Sequence, residues 1–210
     1  MKILGHRGYW KTANEQNTLN AFRKSFDLGY GVETDFRDLN GRLVINHDLP
    51  TSESILADRL FEIMNSVDSN LPLAINIKSD GLQDLLLACI NKFRISNYFL
   101  FDMSVPDAVI SIKRGLRVFT RQSDVEKNPA FYEQADGVWI DAFYSDDWID
   151  EGIIKTHLSA GKSVCLVSPE IHKRSHSKIW GKLKSNRLCD NTNLLLCTDL
   201  PDEASVYFHL

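Results

Sequence analysis

The sequence lacks long apolar runs and the sulfur pairs that form cross-links or metal sites. It has four cysteines in 210 residues, and none of them forms a C-x-x-C pair. We therefore expect free, buried thiols in a reducing compartment. No stretch approaches the roughly 18 apolar residues that a membrane-spanning helix needs, and the apolar stretch at the N-terminus is too short for a signal peptide. These absences predict a cytoplasmic protein without stable membrane insertion.

The sequence also lacks an excess of charge of one sign. Its formal net charge is −4, whereas nucleic-acid-binding domains usually carry a basic bias. A hydrophobic fraction of 43% and a charged fraction of 25% are ordinary for a globular protein. We expect one domain over residues 1–210, with a small-molecule substrate and no nucleic-acid partner. Nothing in the composition predicts an oligomeric state.

Apolar, strand-like runs alternate with helix-like segments along the chain. The strand candidates are residues 2–6, 32–36, 73–78, 97–102, 116–121, 137–141, 163–168 and 193–198. The helix candidates are residues 18–28, 56–64, 82–93, 106–114, 129–134, 149–160 and 179–184. This alternation predicts a parallel sheet, and eight strands favour a small (β/α)8 TIM barrel of the α/β class. Active sites of such barrels lie at the C-terminal ends of the strands.

Polar residues of the kinds that catalyse reactions or bind metals are concentrated between residues 3 and 47. Glu33 and Asp35 are two apart, so on a strand both side chains point to one face. Such a carboxylate pair suits a hard cation, because Mg²⁺ and Ca²⁺ prefer oxygen ligands. His6 and His47 are suited to a reaction that needs one general acid and one general base.

Further candidates follow later strands or turns. Arg7 has the guanidinium geometry that matches phosphate oxygens. Lys78 shares a strand face with Asn76 and can point inward beside the carboxylates. The Asn40–Gly41 turn predicts a hairpin that brings His47 back towards the strand ends. The histidines without such a setting are predicted to lie on the surface: His157, His176 and His209.

These residues, in this order, resemble the glycerophosphodiester phosphodiesterase family of the phospholipase C-like phosphodiesterase superfamily. The matching pieces are His6-Arg7-Gly8, Asn17-Thr18 with Ala21-Phe22, Gly31 to Asp35, Asn40-Gly41, His47-Asp48, Ile75 to Lys78 and Thr198 to Pro201. The match is dense over roughly the first fifty residues and sparse afterwards.

The resemblance implies a phosphoric diester hydrolase that uses a divalent cation, Mg²⁺ or Ca²⁺. The implied products are an alcohol and a glycerol phosphate. The implied metal ligands are Glu33, Asp35 and Asn76. The implied acid and base are His6 and His47, with the two roles unassigned. The substrate-binding candidates are Arg7, Lys78 and Glu170, the last of which follows the seventh strand candidate.

The sequence departs from the family pattern at two site positions. Asn76 stands where the family has a third carboxylate ligand, and Gln16 stands where it has a glutamate. Asp102 and Glu170 are alternative sources of the missing oxygen. Two other functions stay open: a catalytically silent barrel that binds phosphorylated glycerol or sugars, and a phospholipase acting on a lyso- or inositol lipid.

Overall fold

The computed structural model describes residues 1–210 and divides into two compact units. One unit is Gly5–Val118, and the other combines Met1–Leu4 with Phe119–Leu210. Strand β1, Lys2–His6, contributes its last two residues to the first unit. All predicted site residues from His6 to Lys78 also lie in that unit.

The unit Gly5–Val118 alternates strands and helices. After β1, its elements are α1 (Leu19–Asp27), β2 (Gly31–Leu39), β3 (Arg42–Ile45), β4 (Ile55–Leu56), α2 (Ala57–Val67), β5 (Leu73–Ile77), α3 (Gln83–Phe93), β6 (Tyr98–Phe101) and α4 (Val105–Lys113), with a 3-10 turn at Ala13–Glu15. Strand β2 pairs in parallel with β5, and β5 pairs in parallel with β6. Every residue of β5 is buried, as expected for a parallel strand covered on both faces.

Helix α1 shows how local sequence sets the element boundaries. The Thr18 hydroxyl accepts a hydrogen bond from Ala21 N at 3.2 Å, which caps the helix. Phe22 and Phe26 are buried on one face. Gly29, with a φ of +79°, follows the end of the helix. The helix therefore lies within the predicted range, residues 18–28.

The hairpin between β2 and β3 is also confirmed. Asn40 has a φ of +50° and Gly41 a φ of +74°, and positive φ at both central residues is typical of a type I′ turn. Leu39 lies opposite Arg42 in the antiparallel register. The hairpin therefore returns the chain to His47, as predicted, while the short strand β4 was not foreseen.

The second unit contains four further strands. Its elements are β7 (Phe119–Ser123), β8 (Gly137–Asp141), α5 (Glu151–Ser159), β9 (Ser163–Val167), α6 (Ser177–Ser185), β10 (Leu194–Thr198) and α7 (Pro201–Phe208), with 3-10 turns at Pro169–His172 and Leu188–Asp190. Strands β7 to β10 pair in parallel in chain order. All eight strands expected from the sequence are thus present.

Some predictions for this unit are wrong. The segment 129–134 is not helical, because Phe131 adopts a φ of +43° and its carbonyl closes a turn with Gln134 N and Ala135 N. Strand β7 begins at Phe119 rather than residue 116. Helix α7 was missed. His157 is not on the surface, since only 6% of it is exposed.

Two expectations concerned features that the sequence lacks, namely paired cysteines and membrane-spanning helices. All four cysteines are free, and three of them are buried, whereas Cys89 is half-buried. None of the helices combines the length and apolar character needed to cross a membrane. The prediction that residues 1–210 form one domain stays a prediction.

Candidate active site

A turn directly after β1 brings two predicted site residues, Arg7 and Glu33 of β2, into contact. Arg7 has a φ of +58° and Gly8 a φ of +87°. The Arg7 amide donates to the Glu33 carbonyl at 2.8 Å and to Glu33 Oε2 at 3.3 Å. A Cβ at position 8 would lie 2.8 Å from the Ala21 carbonyl carbon. Glycine is therefore required where the turn passes helix α1.

Glu33 is a buried carboxylate with polar neighbours on both oxygens. It is 2% exposed. Its Oε2 lies 3.9 Å from His6 Nε2, and its Oε1 accepts a hydrogen bond from Asn76 Nδ2 at 3.2 Å. Burial raises the pKa of Glu33 to about 7, with His6 opposing the rise and Asp35 adding to it. The group can thus exchange a proton near neutral pH.

Asp35 is equally buried but is surrounded by positive charge. Its Oδ2 lies 3.4 Å from Arg7 Nε and accepts a hydrogen bond from Asn17 Nδ2 at 2.8 Å. Its Oδ1 lies 3.5 Å from Lys78 Nζ. Asp35 is the Cα partner of Asn76 across the β2–β5 pair. These contacts place two positively charged side chains and one amide donor around the Asp35 carboxylate.

Two buried polar atoms in this cluster have no hydrogen-bond partner. They are Asn76 Oδ1 and Arg7 Nε. An unsatisfied buried polar atom costs about 1–3 kcal/mol, so native proteins seldom leave one without a reason. Asn76 Oδ1 is thus an acceptor available to a cation, whereas Arg7 Nε, although not hydrogen-bonded, is ion-paired with Asp35 Oδ2 at 3.4 Å.

The oxygen set Glu33, Asp35 and Asn76 fits a hard cation in its chemistry. Two of the three groups are carboxyls, and the third is the amide of Asn76, whose Oδ1 has no hydrogen-bond partner. No group of three or more His, Cys, Asp or Glu side chains is placed to hold a metal ion. The set counts as a candidate only because the amide of Asn76 is included.

His47 differs from the other predicted residues in its exposure. Its side chain is 49% exposed, and its Nδ1 lies 2.8 Å from Asp48 Oδ1. This hydrogen bond lowers the pKa of Asp48. An adjacent carboxylate can orient an imidazole for proton transfer, so the pair has the arrangement that an acid or base requires.

Glu170 belongs to the other compact unit. Its carboxylate accepts hydrogen bonds from the hydroxyls of Ser168 and Thr198 and, at 3.2 Å, from Asp199 N. These hydrogen bonds connect the turn after β9 to the end of β10. Its assignment to substrate binding stays a prediction.

Sequence reasoning undervalued two residues of the cluster. Asn17, quoted only as part of a motif, bridges the carboxylate of Asp35 and the hydroxyl of Thr34, which donates to Asn17 Oδ1 at 2.7 Å. Asp102, considered as a metal ligand, lies 3.7 Å from Lys78 Nζ and forms an ion pair with it. The position of Asp102 directly after β6 was the available signal for that residue, and Asn17 was marked only by its place in the motif.

Comparisons with known proteins were made for the whole chain. No family model matches it, and no curated protein matches it. Among solved structures, a glycerophosphodiester phosphodiesterase from Agrobacterium tumefaciens is 16% identical, with a TM-score of 0.71, covering 100% of this chain and 99% of the other. One from Parabacteroides distasonis is 16% identical, with a TM-score of 0.69 and coverages of 99% and 96%.

A third similar structure carries a ligand. It is an Oleispira antarctica phosphodiesterase in complex with the product sn-glycerol-3-phosphate, 13% identical, with a TM-score of 0.71 and coverages of 100% and 97%. At these identities the likeness shows the fold alone. It confirms the predicted α/β fold class, the small (β/α)8 barrel, and the structural resemblance to glycerophosphodiester phosphodiesterases.

Proposed function

We propose that this protein is a phosphodiesterase that hydrolyses a glycerophosphodiester-like small molecule to an alcohol and a glycerol phosphate. The observation that carries the proposal is the cluster in which His6 approaches Glu33 while Arg7 and Lys78 flank Asp35. It combines a proton-transfer group, a pair of carboxylates and two positively charged side chains, which together match the needs of diester cleavage. The fold shared with the three phosphodiesterase structures supports the same function.

We propose a resident divalent cation, Mg²⁺ or Ca²⁺, held by Glu33, Asp35 and Asn76. The support is the buried carboxylate pair and the unpartnered Asn76 Oδ1. When bound, the cation supplies positive charge against developing charge on the phosphodiester. A cation also offsets the burial that raises the pKa of Glu33.

The chain's own residues have the following proposed roles. His6 and His47 exchange protons with the nucleophile and the leaving alcohol, in an order that the proposal leaves open. Arg7 and Lys78, which are both ion-paired with Asp35, hold phosphate oxygens. Glu170 is retained as a substrate-binding candidate. We also propose that the chain works as one domain in the cytoplasm, without a nucleic-acid partner.

The decisive experiment is hydrolysis of a panel of phosphodiesters with and without Mg²⁺, Ca²⁺ and Mn²⁺. The panel includes glycerophosphocholine, glycerophosphoethanolamine, a lysophospholipid, an inositol phospholipid and bis(p-nitrophenyl) phosphate. Release of glycerol phosphate that chelator abolishes and metal restores supports the proposal. Activity restricted to the lipids favours the phospholipase alternative, and full activity after exhaustive chelation contradicts the role of the cation.

A silent binding protein is the second candidate, and two residues favour it. Asn76 and Gln16 both replace carboxylates of the family pattern, and Gln16 Oε1 accepts a hydrogen bond from Arg7 Nη1 at 3.1 Å. Calorimetric binding of glycerol 3-phosphate, with no turnover of any diester, favours this candidate over the enzyme.

A further inference from the structure

Arg37 makes three hydrogen bonds to the main chains of two predicted site residues. Its Nη1 donates to the Lys78 carbonyl at 2.8 Å. Its Nε and Nη2 donate to the His47 carbonyl at 3.2 and 3.0 Å. Arg37 lies two residues after Asp35 on β2, so the strand period places it on the same face as the carboxylates.

The two carbonyls lie just beyond the end of regular pairing. The backbone hydrogen bonds from β2 to these two segments join the Asp35 carbonyl to Asn46 N and the Phe36 carbonyl to Lys78 N, each at 3.0 Å. Strand β3 ends at Ile45, one residue before Asn46. Arg37 therefore connects the segment after β3 with the segment after β5, beyond the ends of these two strands.

The chemistry of the guanidinium suits this connection. Arginine presents five donors in a rigid plane, and three of them are used here. The Asn46 side chain adds hydrogen bonds to the carbonyls of Asp48 and Leu49, at 3.0 and 3.2 Å. Since the His47 ring is half exposed, its position depends on how firmly this main chain is held.

We propose that Arg37 is a positioning residue, which fixes the His47 and Lys78 main chains relative to each other so that imidazole and ammonium act on one phosphodiester. This inference rests on the proposed function for its catalytic consequence. A displaced acid or base lowers turnover strongly even where binding persists. Loss of Arg37 is therefore expected to lower kcat about 10- to 100-fold, with a smaller change in KM.

The test compares Arg37→Met and Arg37→Lys with Arg42→Met. Arg42 is an exposed arginine on the same hairpin, so its loss removes the same charge without touching the two carbonyls. Arg37→Met is expected to lower kcat and shift its pH profile, and added guanidinium to restore part of the rate. Arg37→Lys is expected to recover little, and Arg42→Met to behave as wild type.

A second readout does not depend on activity. Histidine ring signals in nitrogen-15 NMR spectra, assigned with His47→Gln, are expected to broaden or shift for His47 in Arg37→Met and to stay unchanged for His157. An unchanged His47 signal overturns the positioning role, as does a raised KM with wild-type kcat, which indicates direct substrate contact. Where Arg37→Met does not fold, Arg37→Lys gives both readouts.

The two readouts separate two different failures. If the wild-type protein hydrolyses no diester but the His47 signal responds to Arg37→Met, the proposed function fails and the structural connection stands. If the wild type is active and neither kcat nor the His47 signal responds, the role of Arg37 fails and the proposed function stands.

Discussion

The cluster around Glu33 and the cluster around His157 each bury a titratable side chain, one in each compact unit. His157 Nδ1 accepts from the Tyr132 hydroxyl at 3.0 Å, and its Nε2 donates to Gln122 Oε1 at 2.8 Å. Both ring nitrogens are thus satisfied. Around Glu33, by contrast, Asn76 Oδ1 and Arg7 Nε have no hydrogen-bond partner.

This difference separates a structural histidine from a candidate site. Burial lowers the pKa of His157 and keeps the imidazole neutral, which suits its two neutral partners. Burial raises the pKa of Glu33, which leaves a carboxylate close to its titration point beside unused polar atoms. Burial alone therefore does not indicate function, whereas burial with unsatisfied hydrogen-bonding capacity does.

The largest expected effect is on catalysis at His6. Because His6 is the imidazole beside Glu33, His6→Ala should lower turnover of the best diester about 10²–10⁴-fold. The exposed His209 provides the control, and His209→Ala should keep the wild-type rate. Steady-state kinetics with matched thermal unfolding curves make the measurement. A near-native rate in His6→Ala removes this residue from the mechanism.

The next effect concerns the unpartnered amide. Asn76→Leu removes a candidate oxygen ligand and the hydrogen bond to Glu33, so affinity for Mg²⁺ or Ca²⁺ should fall roughly 10- to 100-fold. Titration calorimetry measures it, with Asn20→Leu on the exposed side of α1 as the control. Equal affinities in wild type and Asn76→Leu place the amide outside the ligand set.

A stability effect should accompany the buried carboxylate. The pKa of Glu33 in the folded protein, about 7, exceeds its unfolded value. The folded state thus holds the proton more tightly, and stability falls as pH rises through about 7. In chelator at pH 8, Glu33→Gln should be more stable than wild type by about 2 kcal/mol, with little difference at pH 5.

Urea unfolding at both pH values tests this, with Glu53→Gln as an exposed control. A stabilisation of the same size at pH 5 and pH 8 would point to packing rather than charge. A destabilised Glu33→Gln at pH 8 would contradict the expected cost of the buried charge.

The smallest effect belongs to His157. Its pKa is lowered in the folded protein by burial, so its contribution is complete above the unfolded pKa of about 6.5 and is lost as pH falls below it. His157→Gln lacks this titration. Between pH 7 and pH 5 its Tm should fall by roughly 2–4 °C less than that of wild type. Parallel Tm curves for the two proteins would contradict the inference.

The sequence predicted strands well where burial on both faces left a plain apolar run. Residues 137–141 form β8 with the predicted bounds, and β5 differs from its prediction by one residue. It failed where polar residues continue a strand, since Gln122 and Ser123 of β7 gave no apolar signal. The segment 129–134 has a helix-like pattern but forms turns, with Phe131 at a φ of +43°.

Within the candidate site, strand periodicity predicted that Glu33 and Asp35 share a face of β2, whereas Asn76 became a candidate through the family resemblance. Asp35 lies opposite Asn76 because β2 and β5 pair in parallel in this register, and Lys78 follows directly after β5. His157 was misjudged because its partners, Tyr132 and Gln122, are distant in sequence. The contacts of Arg37 with carbonyl oxygens could not be predicted either, because every residue has a main-chain carbonyl and the residue type gives no sign of the contact.

The left-handed backbone at Arg7 and Asn17 has a consequence for protein engineering. Their φ values are +58° and +55°, and this conformation costs about 1–2 kcal/mol for a residue with a side chain. It persists here because Arg7 N is held by Glu33 and Asn17 N by the Arg7 carbonyl. A synthetic loop copied from residues 6–18 onto another scaffold should relax to other conformations. Transplanting this loop therefore requires β2 to be moved with it.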